Sequence, residues 1–74
     1  MNHEGNMSDE SDKVYIPATK VRERYGGISD MTLWRWERNP EMGLPPPITI
    51  NRRRYWRLSE LESWERIRQR RAAG

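Results

Sequence analysis

Gly27-Ile28-Ser29-Asp30-Met31-Thr32-Leu33-Trp34-Arg35-Trp36-Glu37-Arg38 reads as a glycine turn running into a short amphipathic helix. Ser29 offers its hydroxyl to an orphan amide one turn on, and Asp30 sits in the first turn, where the helix N-terminus favours a carboxylate. Leu33 and Trp36 are three apart and share one face, whereas Asp30, Met31, Thr32, Trp34, Arg35 and Arg38 point elsewhere. Trp34 and Trp36 are two apart and cannot share a face, so Trp36 joins the core with Leu33 and Trp34 stays partly exposed. Asn39-Pro40 closes the segment, because the residue before a proline is pushed out of the helical region.

Upstream, Pro17 suits a first helical position, and Ala18, Val21 and Tyr25 recur at helical spacing until Gly26-Gly27 stop the run. Downstream, Glu41-Met-Gly-Leu-Pro-Pro-Pro47 favours an extended, stiff connector. Ile48-Thr-Ile50 and Arg53-Arg-Tyr-Trp56 then read as two short strands around a tight turn at Asn51-Arg52. A third helix starts at Ser59, where Ser59-x-x-Glu62 matches a capping box and Leu58, Leu61, Trp64 and Ile67 form an apolar stripe. In that helix Glu60, Glu62 and Glu65 precede Arg66, Arg68, Arg70 and Arg71, the order the helix dipole favours, and Glu62 can pair with Arg66. The expected fold is mainly α with a small two-stranded hairpin, over residues 13 to 71.

Seventy-four residues at 34% hydrophobic content support one small core and no second. Cysteine is absent and the single histidine, His3, lies outside the domain, so packing holds the fold without disulfide or thiolate metal site. No apolar run is long enough to span a membrane, and the polar first dozen residues lack the stretch of a secretory signal. A soluble, cytoplasmic protein is expected. Trp56 and Trp64 are assigned to the core, since the second strand and the last helix must pack together.

The formal charge of +3 hides an asymmetry: residues 1 to 12 carry four acidic side chains and no Lys or Arg, while residues 13 to 74 carry fourteen basic against seven acidic, +7. The acidic segment offers almost nothing apolar to offset ordering and reads as disordered. The basic remainder has the electrostatic footprint of a polyanion binder. Two short helices around a glycine turn, the second with a polar and basic outer face, describe a helix-turn-helix, whose second helix fits the major groove. The candidate contacts on it are Ser29, Asp30, Met31, Thr32, Trp34, Arg35 and Arg38. Arg52, Arg53 and Arg54 gather three guanidinium groups at a hairpin tip, where they repel one another unless a partner such as phosphate or a minor groove receives them. The run from Arg66 to Arg71 is accounted for by the helix dipole. With no His or Cys in the domain and no glycine-rich phosphate loop, no catalytic constellation, cofactor or small-molecule substrate is expected. Two rival readings remain: an RNA or single-strand binder that stacks bases on Trp34, and a protein-interaction module using the proline-rich connector.

Three blocks, Gly27 to Trp36, Gly43-Leu-Pro-Pro-Pro-Ile48 and Arg52-Arg-Arg-Tyr-Trp-Arg-Leu-Ser-Glu-Leu-Glu-Ser-Trp64, occur in the order found in the AlpA family of phage and prophage regulators, which the chain resembles from Val14 to about Arg68. That family is related to excisionases and, more distantly, to the DNA-binding domains of MerR regulators. The resemblance implies a winged helix-turn-helix on double-stranded DNA, acting in transcriptional regulation or, alternatively, as an excisionase, with homo-oligomers on DNA compatible with either. It implies Ser29 as the cap of the recognition helix, Thr32 and Arg35 as DNA contacts, Arg52 to Arg54 as the wing, and Leu33, Trp36, Trp56 and Trp64 as core. Two departures are the doubled Gly26-Gly27, where many relatives have one glycine, and Asp30, where relatives often have a basic or neutral residue. A carboxylate there would repel phosphate, accept from cytosine N4 or serve the cap.

Overall fold

The computed structural model describes residues 13–73, with side chains to residue 71; the acidic segment 1–12 lies outside the described residues. The elements are β1 (Tyr15–Pro17), α1 (Ala18–Arg24), α2 (Asp30–Arg38), β2 (Ile48–Ile50), β3 (Arg53–Arg57) and α3 (Leu58–Ala73). The three strands form one antiparallel sheet in the order β1-β3-β2. The fold is therefore mixed α/β, and the expectation of a hairpin with only two strands is corrected by β1.

β1 escapes a reading by period because three residues carry almost no alternation. Its partner is distant: Tyr15 pairs with Arg57, Ile16 with Trp56 and Pro17 with Tyr55, and the Leu58 amide donates to the Val14 carbonyl at 2.9 Å. Pro17 belongs to this strand and caps α1 in extended conformation (φ −70, ψ 158), one residue before the position expected of it. An edge strand tolerates it, since a proline there forfeits no central ladder bond.

α1 ends through backbone geometry. Gly26 and Gly27 both adopt positive φ (87 and 77), and the amides of Gly27 and Ile28 both donate to the Arg22 carbonyl, at 2.8 and 3.2 Å. A Cβ at either glycine would meet nothing within 4 Å, so the left-handed conformation is what requires glycine here. The Arg22 side chain closes the same turn by donating Nε–H to the Ile28 carbonyl at 3.0 Å. Ser29 caps α2 as its sequence suggests, accepting from the Thr32 amide at 3.0 Å.

Val21, Leu33, Trp56 and Leu61 are fully buried, and Trp64 retains 8% exposure. Ile16, Ala18, Tyr25, Ile28, Trp36 and Leu44 pack around them. Trp36 is half-buried and completes an aromatic cluster in which Tyr25 lies 5.8 Å and Trp64 6.2 Å from its ring centre. The connector is tied down by indoles: Trp56 Nε1–H donates to the Pro45 carbonyl at 2.8 Å, and Trp64 Nε1–H to that of Met42 at 2.7 Å. α3 starts at Leu58, a residue before the expected cap, and outruns the core, leaving Ile67 51% exposed. The apolar stripe on that helix thus ends at Trp64, which corrects the assignment of Ile67.

Candidate nucleic-acid interface

Helical phase divides α2 sharply. Leu33 and Trp36 face inward, and the opposite arc presents Met31 (57% exposed), Trp34 (45% exposed), Arg35 and Arg38. The Arg38 guanidinium lies over the Trp34 ring, 4.4 Å from its centre, a cation–π contact that covers one ring face and holds the arginine at the arc. Thr32 sits at the margin, half-buried, its hydroxyl accepting from the Ser29 hydroxyl at 3.1 Å. Ser29 and Thr32 thus belong first to the cap.

The hairpin separates its three arginines. Register pairs Ile50 with Arg53 and Thr49 with Arg54, and strand alternation puts Arg54 on the sheet face of Trp56, toward α2, and Arg53 on the other. Arg54 donates from Nη2 to Asp30 Oδ1 at 2.5 Å and from Nη1 to Glu37 Oε2, and its guanidinium lies 5.6 Å from the centre of the Trp56 ring. The reading of Arg52 to Arg54 as one uniform tip in need of an outside partner is therefore corrected: Arg54 has its partners within the chain. Asp30 and Glu37 are seven apart, two helical turns on one face, so a single guanidinium bridges them. The bridge does two things: it clamps the hairpin to α2, and it offsets the Asp30 carboxylate that would otherwise repel phosphate.

Arg52 and Arg53 remain exposed at the tip, beside a cleft shared with Pro17, Ala18 and Thr19 at the start of α1. The turn is left-handed at both central residues, with φ 54 at Asn51 and 68 at Arg52. Asparagine tolerates that conformation, whereas arginine in the position glycine prefers stores strain of the kind that marks functional sites.

A second ionic cluster lies between α1 and α3. Arg24 donates to both oxygens of Glu65 at 2.7 and 2.8 Å, and the Tyr25 hydroxyl donates to Glu65 Oε2 at 2.5 Å. The Arg24 bond holds the Glu65 carboxyl below the usual carboxylate range and raises the Arg24 guanidinium further. Burial first, and then the bond to Glu65, pushes the Tyr25 hydroxyl up. These groups join two helices away from the α2 arc and serve the fold.

Glu37 had no assigned role from sequence, although its spacing from Asp30 was a usable signal. Among the described residues no group of His, Cys, Asp or Glu is arranged to hold a metal ion, and no helix is long and apolar enough to cross a membrane. No family model, curated protein or solved structure matches this chain.

Proposed function

We propose that the chain is a sequence-specific double-stranded DNA-binding regulator of the phage and prophage type, working as a winged helix-turn-helix. In this reading α1 and α2 are the helix-turn-helix, α2 enters the major groove, and the β2–β3 hairpin lies along the backbone or in the minor groove. One observation carries it: the Arg54 bridge to Asp30 and Glu37 fixes the hairpin against α2, so that the exposed Arg52 and Arg53 of the hairpin tip are held at a set position relative to the exposed Arg35 and Arg38 of α2. A surface of helix and hairpin with +7 behind it suits a grooved polyanion. Arg38 covers one face of Trp34, which favours duplex over the base stacking that single-strand binders use.

Selection of bound duplexes from a random pool, followed by titration across salt concentrations, tests the proposal. An enriched motif is expected, with a log–log salt slope of about −4 to −5 if about five phosphates are neutralised. Single-stranded competitors that displace the duplex at equal concentration would overturn it.

A further inference from the structure

Met31 and Trp34 pose a separate question, because the chemistry of phosphate contact has no use for them. They are the two large apolar side chains of α2 that face solvent, at 57% and 45% exposure, and together with Asp30 they line one shallow recess. Cations touch two of its three lining residues, Arg38 over the Trp34 ring and Arg54 bound to Asp30, and Arg35 is exposed one helical turn on from Met31. An apolar protein partner would have to strip water from those guanidinium groups to reach the recess, at a cost that grows with burial. A DNA major groove matches the pattern directly, since it offers phosphates on both sides and a single kind of exposed apolar group, the C5 methyl of thymine.

We infer that Met31 and Trp34 are specificity-determining residues that read thymine methyl groups in the major groove. The inference rests on the duplex reading proposed above and deepens it by naming the chemical group that is read. Met31 supplies an unbranched, polarisable side chain that moulds to a methyl. Trp34, held by Arg38 on one face, supplies an apolar edge at fixed position. Arg35 and Arg38, exposed on the same arc, then contact the flanking backbone.

The test uses the full chain and duplexes recovered from the random pool, remade with deoxyuridine triphosphate in place of thymidine triphosphate. This removes each methyl and leaves every hydrogen-bonding group in place. The wild type is expected to bind the uracil duplex about fourfold more weakly per methyl read, with an unchanged salt slope. Met31→Ala and Trp34→Ala should each lose the share of discrimination that its own methyl contact supplies, and Met31→Leu should keep it. Thermal melts of the exposed-site variant Met31→Ala should match wild type, separating recognition from folding. Equal binding of thymine and uracil duplexes, with the selected sequence still preferred over a scrambled one, overturns the methyl reading and leaves the duplex reading standing. A selected motif without thymine does the same. Discrimination retained in both alanine variants overturns the assignment to these residues, and a pool that yields no enriched duplex overturns both readings together.

Discussion

Replacing Arg54 by alanine removes both partners' bonds at once and leaves the half-buried Glu37 carboxylate without its guanidinium. The expected cost is about 1–3 kcal/mol of stability, as for other hydrogen bonds to charged groups, visible as an earlier urea midpoint. Arg53→Ala should leave that midpoint in place and instead weaken binding to every duplex, flattening the salt slope by about one unit. A reversed outcome, with Arg53→Ala unfolding and Arg54→Ala merely binding less well, would mean the hairpin register is wrong. The tryptophans sort in the same way. Trp56→Ala should cost about 3–5 kcal/mol, enough to unfold so small a domain, with Trp36→Ala costing less and Trp34→Ala least. Melts in which Trp34→Ala is the most damaging would overturn the phase assigned to α2. That phase was legible in sequence because Leu33, Trp34 and Trp36 leave only one consistent core face. The separation of Arg53 from Arg54 was not, because three identical residues in a row carry no mark of which one meets Asp30, 24 positions away.

Among the elements, the hairpin turn sets stability against function. Arg52 holds φ 68 where glycine would rest without strain, so Arg52→Gly should stabilise the domain by about 1 kcal/mol while weakening binding to all sequences. Melting temperature and affinity measured on the one variant check the trade; a gain in both would deny Arg52 any part in binding. α1, α2, the hairpin and the start of α3 could each be placed to within about a residue from caps, glycines and prolines, all of which act locally. β1 could not. Nothing within Tyr15-Ile16-Pro17 says that they pair with Arg57, Trp56 and Tyr55, and Pro17 carries a helix-start signal that fits equally well one position on. The reach of α3 beyond the core was hidden for a related reason: Ile67 continues the period of Leu61 and Trp64, but among the described residues no element lies opposite to receive it.

For the molecule as a whole, the Arg24–Glu65–Tyr25 cluster dictates how stability follows pH. Glu65 is depressed in the folded state, so its contribution is fully present above the ordinary carboxylate range and is lost as pH falls through the depressed value. Tyr25 is raised, so its contribution is fully present below the ordinary tyrosine value of about 10 and is lost as pH climbs past it. Melting temperature should therefore stay level between about pH 5 and about pH 10. Tyr25→Phe should remove much of the alkaline decline relative to wild type while only trimming the acid decline, because the Arg24 bond is the larger of the two that hold Glu65 down. An unaltered alkaline limb in that variant would assign the decline to other groups.

The pairing of β1 with β3 also bears on how the chain is made. Tyr15 and Arg57 stand 42 positions apart, and the sheet has no central strand until β3 exists. A nascent chain that ends before β3 holds α1 and α2 as two short helices, neither able to persist alone. Translation products that stop within the connector then carry the sequence of α2 without the strand and the third helix that its inner face packs against, and they are expected to stay unfolded.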